Sequence, residues 1–391
     1  MLDTPFSPWP AYSAEEIDAV SRVLASGRVN YWTGQECRHF EREFAAWCGT
    51  PHAVALANGT LALDAALRAL GIGPGDEVVV TPRTFMASVS CVVNAGARPV
   101  FADVDLDSGN LTADSIRAVL TRATKAVLCV HLAGWPCEMD GLLALCRERG
   151  LKLIEDCAQA HGARHRGRPV GSMGDIGAWS FCQDKIITTG GEGGMVTTHD
   201  EALWSTMWSL KDHGKSHDAV YKRQHPPGYR WLHESFGHNW RMLEMQAVIG
   251  RLQLQRVAMW SARRHEIAER IAATCRRFDA LRVPTAPAPI EHAHYRQYAY
   301  VQPGRLKGGH SRDSIVQAVV AQGVPLYQGS CSEVYLEKAF GGTGFAPRER
   351  LPNARELGET SLMFLVHPTL TDAEVERTCA VLARVMGEAS R

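Results

Sequence analysis

Short β-branched runs alternate with helix-like stretches along the first part of the chain, and this alternation limits the possible folds more than any other feature. The runs are His52–Ala57, Glu77–Thr81, Pro99–Val104, Ala126–His131 and Lys152–Glu155. Helix-like stretches separate them, for example Thr60–Leu70 and Met139–Arg149. Strands that alternate with helices form a mostly parallel sheet with helices packed on both faces. We therefore predict an α/β fold with a mostly parallel sheet flanked by helices.

Capping-box patterns predict the first and the last helix of the chain. Ser13 is followed three residues later by Glu16, and Gly27 stands where a glycine cap would end the helix. Thr371 and Glu374 repeat the pattern near the end of the sequence. We expect one helix to begin after each of these caps.

The alternation becomes irregular in the second half of the chain, where the stretch Thr285–Pro289 resembles a connector. A chain of 391 residues is long enough for two or three domains. We place a domain boundary near Trp260. Residues 1–260 are then a large domain that includes the N-terminal helix, and residues 261–391 are a smaller C-terminal α+β domain.

Charge and hydropathy disfavour nucleic-acid and membrane partners. Lys+Arg and Asp+Glu both number 42, so no net positive charge is available to attract a polyanion. The longest uncharged stretch, Phe44–Leu63, contains glycine, proline and asparagine, and it cannot supply the about 20 apolar residues of a spanning helix. The first residues do not resemble a secretory signal, and the 11 cysteines include no CxxC pair. We expect a cytoplasmic protein that binds neither nucleic acid nor membranes.

An Asn-Gly-Thr turn lies between the first predicted strand and the helix that follows it. The backbone N–H groups of Asn58, Gly59 and Thr60, together with the helix dipole, would converge on an anion at the C-terminal edge of the sheet. The same triplet is common as an ordinary helix cap. The turn is therefore a candidate phosphate site that needs further support.

Two adjacent carboxylates end the fifth predicted strand. Successive side chains of a strand face opposite sides, so only one of Glu155 and Asp156 can face a site at the strand end. Asp156 lies further out and is our candidate, and Gln159 follows three residues later. From these residues alone, a turn or cap role for the acid is an equal alternative.

A lysine followed by a glycine-dense loop makes residues 179–194 the most informative stretch of the chain. Lys185 follows a predicted strand end at Ser180 and is followed by several glycines. A lone loop lysine is usually a solvated cation, but one beside a phosphate cradle and an acid suggests an amine held for imine chemistry. The glycines let the backbone approach a bound group closely.

These three features together are the ones that pyridoxal 5'-phosphate (PLP) requires. The phosphate needs an anion cradle, the pyridine nitrogen needs a carboxylate to stay protonated, and the aldehyde needs a lysine for a Schiff base. We therefore predict PLP as the cofactor. We predict no metal site, because the spacing of His131, Cys137 and Cys146 matches no common zinc pattern.

Alternating aromatic residues at 294–300 allow two interpretations. The residues that could line a sugar pocket are His294, Tyr295, Arg296, Tyr298 and Tyr300, but alternating aromatics in a strand are more typical of packing. We favour packing and assign none of them to the site.

Six motifs occur in the order found in the DegT/DnrJ/StrS family of PLP-dependent sugar aminotransferases. They are Val54–Thr60, Thr84–Ser88, Ile154–Ala163, Ser180–Lys185, Gly191–Gly194 and Gly237–Met242. The similarity runs from about Tyr12 to His367, which is nearly the whole chain. On these motifs the chain is identified as a member of that family. The resemblance implies the fold type I of PLP-dependent transferases, with a large domain and a small C-terminal domain.

The resemblance also implies roles for individual residues. Lys185 resembles the Schiff-base lysine, and Asp156 resembles the partner of the pyridinium nitrogen. Gln159 is similar to the residue beside the phenolic oxygen of the ring, and Phe85 to the aromatic stacked on the ring. The implied phosphate contacts are Gly59, Thr60 and Ser180 from one subunit and Asn239 from the opposite subunit. A homodimer with shared active sites follows from the resemblance.

Two positions depart from the family pattern. Cys182 stands where many members have histidine, and the loop after Lys185 is one glycine longer than the common form. Both lie near the expected cofactor site and could reshape its substrate side. Neither removes a catalytic group.

The function implied by the resemblance is transfer of an amino group from glutamate or glutamine to a keto sugar. The most common acceptor in such a family is a nucleotide-linked keto-hexose, which gives an amino sugar for polysaccharide or glycoside assembly.

Three alternative functions are weighed against this one. A keto-cyclitol aminotransferase would use the same catalytic and cofactor-binding residues. A PLP-dependent sugar dehydratase commonly replaces the lysine by histidine, so Lys185 argues against it. The balanced charge and the lack of a helix-turn-helix segment disfavour a non-catalytic regulator.

Overall fold

The computed structural model describes residues 6–224, residue 228 and residues 230–391. This described part of the chain contains thirteen α-helices. They are α1 (Ala14–Ser26), α2 (Glu36–Cys48), α3 (Gly59–Ala69), α4 (Ala87–Asn94), α5 (Ala113–Arg117), α6 (Met139–Arg149), α7 (Glu201–Lys211), α8 (His217–Tyr221), α9 (Glu244–Leu254), α10 (Val257–Cys275), α11 (Arg312–Val320), α12 (Pro352–Thr360) and α13 (Asp372–Ala389). None of these helices combines the length and the apolar composition that a membrane crossing needs.

The described residues also contain thirteen strands, which form three sheets. They are β1 (His52–Leu56), β2 (Glu77–Val80), β3 (Arg98–Phe101), β4 (Thr124–Val130), β5 (Lys152–Asp156), β6 (Arg164–His165), β7 (Arg168–Pro169), β8 (Ile176–Ser180), β9 (Gly194–Thr198), β10 (Leu281–Arg282), β11 (Ile290–Glu291), β12 (Gln297–Val301) and β13 (Ser361–Phe364).

A seven-stranded sheet has the strand order β1-β9-β8-β5-β4-β2-β3. β2 pairs in parallel with β3 and β4, and β5 pairs in parallel with β4 and β8. β9 runs antiparallel to both of its neighbours in this sheet, the edge strand β1 and β8. The prediction of an α/β fold with a mostly parallel sheet flanked by helices is confirmed.

The capping residues lie where the sequence predicts them. Both capping boxes are present, at Ser13 before α1 and at Thr371 before α13. Asn58 separates β1 from α3, and its side chain accepts a hydrogen bond from the N–H of Leu61 at 3.0 Å. The polar turn after β1 is therefore a true helix start.

Side chains alternate across the large sheet, so each strand contributes to two apolar layers. Val79 and Val127 belong to one core, together with Phe40 of α2. Val78 and Leu128 belong to the opposite core, which includes the apolar face of α3. The sheet is therefore buried on both faces, as its continuous apolar strands require.

A second, three-stranded sheet has a hydrophobic core of its own. β12 pairs antiparallel with β10 and with β13. Ile315 of α11, Phe364 of β13 and Leu382 of α13 are buried in this core. An antiparallel sheet packed against helices is the α+β arrangement that the sequence predicts for this part of the chain.

Helix α10 connects the two cores without a break. Val257, at its start, packs in a core of the large sheet, whereas Ile267 packs in the core of the small sheet. The predicted domain boundary near Trp260 lies inside this helix. The division into residues 1–260 and 261–391 stays a prediction.

Glu155 is fully buried and anchors the end of β5. Its carboxylate accepts hydrogen bonds from the backbone N–H groups of Gly171, Met173 and Gly174, at 2.8, 2.8 and 2.6 Å. Oε2 of Glu155 also lies 3.0 Å from Nε2 of His131. Burial acts to raise the pKa of Glu155, but His131 and the backbone bonds hold that pKa below its ordinary value. Glu155 therefore ties β5 to the segment before β8 and to the end of β4.

Glu155→Gln should lower the free energy of unfolding by about 2–4 kcal/mol, because an amide has one acceptor oxygen for these donors and no charge. The measurement is a urea titration at fixed protein concentration. Glu148→Gln, on the exposed surface of α6, is the control and should change stability by less than about 0.5 kcal/mol. An unchanged urea midpoint for Glu155→Gln would contradict the anchoring role.

Candidate active site

The carboxyl ends of β5 and β8 meet at one edge of the large sheet. Asp156 ends β5, and it is paired in register with Ala178, two residues before Ser180 ends β8. The loop that carries Lys185 begins directly after β8. Open α/β sheets bind ligands at this edge. The topology therefore brings three of the predicted site residues to one place.

Helix α3 begins against the end of β8. A Cβ atom on Gly59 would lie 2.5 Å from Cβ and 3.0 Å from Oγ of Ser180, so only glycine permits this approach. The first N–H groups of the helix, at Gly59 and Thr60, have no acceptor within the helix. These N–H groups, the helix dipole and the Ser180 hydroxyl could hold a phosphate.

Asp156 is buried, with 5% of its surface exposed. Its Oδ2 accepts a hydrogen bond from Oγ of Ser88 at 2.8 Å, and its Oδ1 accepts one from the N–H of Ala158 at 3.0 Å. Burial raises the pKa of Asp156 above its ordinary value, although these bonds and the charge of Lys185 act in the opposite direction. Within the described residues, no cationic side chain forms an ion pair with Asp156. Such a carboxylate suits a protonated ring nitrogen as its partner.

Gln159 lies on the turn after β5 and is buried. Its Oε1 accepts a hydrogen bond from the N–H of Ala133 at 2.7 Å, which leaves the amide N–H groups as donors. Ala133 has a φ of 57°, in the left-handed region. Gln159 therefore fixes the unusual turn after β4 while it keeps donors for a ligand.

Lys185 has a fixed backbone and a side chain without a close carboxylate partner in the described part of the chain. Its carbonyl oxygen accepts a hydrogen bond from Nε1 of Trp9 at 2.9 Å. Its Nζ lies 5.1 Å from the centroid of the Tyr295 ring. Burial acts to lower the pKa of Lys185, but Tyr295, Asp184 and Asp156 raise it above the ordinary value. The amine is thus held among polar groups and is available to a ligand.

Two of the predicted site residues lie at the surface of the single chain. Phe85 precedes α4 and is 69% exposed, which is unusual for a phenylalanine. Asn239 is exposed on a segment whose backbone bridges Asp212. Their exposed side chains are free to contact a ligand or a second subunit.

Three residues beside Lys185 lie outside the predicted site, namely Asp184, which no motif indicated, and Tyr295 and Arg296, for which packing was the favoured interpretation. The hydroxyl of Tyr295 and Nη2 of Arg296 both donate to Oδ2 of Asp184, the latter at 3.0 Å. Tyr295 is also part of a buried core, as the packing interpretation of residues 294–300 predicts. The available signals were the acid next to Lys185 and an arginine among alternating aromatics, but nothing in the sequence connects them.

The described residues fit PLP in three respects. Gly59 and Ser180 form a close-packed cradle that a Cβ at residue 59 would fill. Asp156 is a buried carboxylate without a cationic partner in the described part of the chain. Lys185 presents an amine at the same sheet edge. The chemistry of these donors matches the phosphate, the ring nitrogen and the aldehyde of the cofactor.

Known proteins resemble this chain over nearly its full length. A solved aminotransferase from Psychrobacter cryohalolentis is 61% identical, with a TM-score of 0.97, and the match covers 98% of this chain and 99% of that chain. The UDP-N-acetyl-3-dehydro-α-D-glucosamine 3-aminotransferase of Acidithiobacillus ferrooxidans is 36% identical, over 95% of this chain and 94% of that protein. The GDP-perosamine synthase of Caulobacter vibrioides is also 36% identical, over 96% of this chain and 97% of that protein.

A family profile covers almost the same span as these relatives. The profile describes the DegT/DnrJ/EryC1/StrS aminotransferases and matches residues 10–383. The sequence motifs, the sheet topology and the long alignments agree with one another. The chain therefore belongs to the DegT/DnrJ/EryC1/StrS aminotransferase family.

Proposed function

We propose that this aminotransferase moves an amino group from glutamate or glutamine to a nucleotide-linked keto sugar and so makes an amino sugar. The observation that carries the proposal is the placement of Lys185, Asp156 and the start of α3 at one sheet edge, in a chain of this family. Two relatives are named for sugars linked to UDP and to GDP. Because these nucleotides differ, the proposal names a substrate class and no single nucleotide.

PLP is the cofactor of this family of enzymes, and the proposal assigns residues to hold it. Asp156 would hold the ring nitrogen, Gln159 would lie beside the phenolic oxygen, and Phe85 would cover the ring. Lys185 would form the covalent link. The phosphate would be held by Gly59, Thr60 and Ser180 of one subunit and by Asn239 of the other. When bound, PLP supplies an electron sink for negative charge on the carbon next to the amine nitrogen.

The side chains of this protein supply the proton transfers. Nζ of Lys185 takes the proton from the α-carbon of the amino-acid donor and later gives a proton to the sugar carbon that receives the amino group, after the carbonyl oxygen of that carbon has left as water. Asp156, as a buried carboxylate, keeps the ring nitrogen protonated. Asp184 lies next to Lys185 in sequence and is held by Tyr295 and Arg296. These contacts fix the segment from which Lys185 acts.

The proposal includes a cytoplasmic homodimer with shared active sites and a division into residues 1–260 and 261–391. Large apolar side chains support an interface near Asn239, since Trp231 is 81% exposed and Phe236 is 99% exposed. Aromatic residues are enriched in protein interfaces. The separate core of the small sheet supports the division into domains.

The proposed function is tested with the amino form of the purified holoenzyme and a panel of keto compounds. The panel contains UDP-, GDP- and dTDP-linked keto-hexoses and a keto-cyclitol, and mass spectrometry identifies the product. We expect at least one nucleotide-linked amino sugar, and no turnover from Lys185→Ala, which lacks the amine that carries the proton. Amination of the cyclitol alone, or near wild-type turnover by Lys185→Ala, would overturn the proposal.

Asp156→Asn should lower the rate of amino transfer by about two orders of magnitude or more, because a neutral amide does not stabilise a charged ring nitrogen. Single-turnover kinetics with glutamate measure this rate, and absorbance measures the retained cofactor. The neighbouring Glu155→Gln is the matched control, since it should reduce stability far more than rate. If Glu155→Gln were the variant with the slow reaction and Asp156→Asn reacted normally, the assignment would be wrong.

Asn239→Ala should weaken PLP binding by about tenfold to a hundredfold, because one hydrogen bond to a phosphate is lost. Mixing Asn239→Ala subunits with Lys185→Ala subunits tests which subunit the asparagine serves. If the contact crosses the interface, a mixed dimer has one site with both lesions and one intact site, so activity returns on mixing. No recovery after verified subunit exchange would place Asn239 in the site of its own subunit.

A further inference from the structure

Three histidines meet where α10 faces the segment between β11 and β12. His265 lies on α10, and His292 and His294 lie in that segment. Nδ1 of His265 is 3.2 Å from Nε2 of His294. The rings of His292 and His294 are stacked, with centroids 4.1 Å apart and an angle of 6° between their planes. None of these histidines belongs to the six family motifs or to the candidate active site.

The side chain of His294 is held in one orientation. Its backbone N–H donates to Nδ1 of His292 at 2.8 Å, and the residue is 7% exposed. Its φ of 46° lies in the left-handed region, which bulky residues rarely adopt. Backbone strain of this kind persists only where the surrounding structure enforces it, and it is most frequent at functional sites. The position of this ring therefore indicates a role beyond filling space.

The imidazole of His294 is neutral and therefore able to bind a metal ion. Burial and the neighbouring His265 lower the pKa of His294 to about 3. A neutral ring has one N–H, so its other nitrogen has a free lone pair. Two such rings can therefore turn their unprotonated nitrogens toward the same ion.

The separation of the two facing nitrogens suits a shared metal ion. Imidazole nitrogens lie about 2.0–2.1 Å from zinc, so two of them on a tetrahedral ion are about 3.3–3.4 Å apart. The distance between His265 and His294 is 3.2 Å. As a direct hydrogen bond, this distance is at the long end of the usual range. The pair thus has nearly the spacing of two zinc ligands.

Glu269 can supply a third ligand from the same helix. It stands four residues after His265, so both side chains lie on one face of α10. In the structure, Glu269 pairs with Arg276 at 3.3 Å, and the Glu269 side chain is 48% exposed. Such exposed ion pairs contribute little to stability, so a rotation of Glu269 toward His265 costs little. Arg276 keeps a second contact, with Oγ1 of Thr285 at 3.4 Å.

A cavity of about 400 Å³ gives an ion access to these groups. His265, Glu269, Glu291 and His294 all line it. The carboxylates of Glu269 and Glu291 add negative charge, which favours a cation. The cavity also has room for the water that completes the coordination of a zinc ion with three protein ligands.

Gln297 is placed to support His294 from behind. Nδ1 of His294 has no hydrogen-bond partner among the described residues, but Gln297 is close enough to act to raise the pKa of this imidazole. Nε2 of Gln297 donates to the carbonyl oxygen of Tyr298 at 2.8 Å, which leaves Oε1 as an acceptor. Metal-bound imidazoles usually donate their second N–H to such an acceptor. A small shift of Gln297 would complete that contact.

We propose that His265, His294 and Glu269 form a binding site for one divalent cation of the zinc class. The ion joins α10 to the segment that continues into Tyr295 and β12, and so stabilises the junction between the small sheet and the large one. The sequence-based prediction of no metal site considered His131, Cys137 and Cys146, and these residues are not part of this cluster. The proposal is independent of the proposed function, because it needs neither an amino donor nor a sugar.

The test is calorimetric titration of the chelator-dialysed holoenzyme with zinc chloride. We expect one zinc ion per chain, and visible d–d absorption typical of tetrahedral cobalt when Co²⁺ replaces zinc. Bound zinc should raise the urea midpoint of unfolding, since it binds the folded state. Magnesium should have no such effect, because it prefers oxygen ligands.

His265→Ala is the main variant, because His265 is exposed and its loss should leave the fold intact. It should weaken zinc binding by more than roughly 100-fold, since losing a second-shell partner alone costs about 10- to 100-fold. His294→Gln should do the same, and Glu269→Gln should weaken binding by roughly tenfold, because an amide oxygen is a poorer zinc ligand. In His265→Ala, zinc should no longer raise the urea midpoint.

Two variants are matched controls. Glu266→Gln removes a neighbouring exposed glutamate of α10 that pairs with Arg263 at 2.8 Å. His310→Ala removes an exposed histidine far along the chain from the cluster. Zinc affinity should stay at the wild-type value in both.

Four outcomes would overturn the assignment. Absence of zinc binding to the wild-type holoenzyme would leave the two histidines as a simple hydrogen-bonded pair. Equal binding of magnesium would indicate a carboxylate site without imidazole. Normal binding in His265→Ala, together with a zinc-dependent change in cofactor absorbance, would place the ion at the cofactor. A loss confined to His165→Gln would move the site to His165, which lies 3.6 Å from Glu138 and 4.0 Å from Asp140.

Discussion

Glu155 sets the orientation of β5, and the chemistry at the end of that strand depends on it. Three backbone N–H groups and the imidazole of His131 fix the Glu155 carboxylate on one side of the strand. Because side chains alternate along a strand, Asp156 must then face the other side, where Ser88 meets it. A one-residue slip would exchange these environments and place the wrong acid at the site. The buried structural acid thus determines the position of the candidate catalytic acid.

Close backbone approach is the second constraint on the site. A Cβ on Gly59 would overlap Ser180, and a Cβ on Gly194 would lie 2.2 Å from the carbonyl oxygen of Asn58. These contacts press the start of α3 against the end of β8 and the start of β9. A helix start held so tightly presents its free N–H groups in one fixed arrangement, which lowers the entropic cost of binding an anion there. The glycines therefore contribute to the site although they have no functional side chain.

The sequence was sufficient to predict the fold and those site residues that lie in a recognisable local pattern or in a family motif. Alternating strands and helices predict the parallel sheet, and capping residues predict where α1 and α13 begin. Strand alternation predicts that only one of Glu155 and Asp156 can face the site. The sequence could not predict the cluster of Asp184, Tyr295 and Arg296, because contacts between residues more than a hundred positions apart have no local signal. It also could not distinguish packing from function for Tyr295, whose ring is buried in a core while its hydroxyl contacts Asp184.

The small sheet matters to the site because it supplies the segment that borders the lysine loop. The N–H of Tyr295 donates to the carbonyl oxygen of Ala133, which follows β4 of the large sheet, and the Tyr295 hydroxyl donates to Asp184 beside Lys185. The same segment continues directly into β12, whose side chains pack in the core of the small sheet. Any movement of that core relative to the large sheet would therefore act on Arg296 and on the backbone of Lys185 together. This connection gives a physical reason for a second hydrophobic core in a protein whose proposed cofactor contacts come almost entirely from the first.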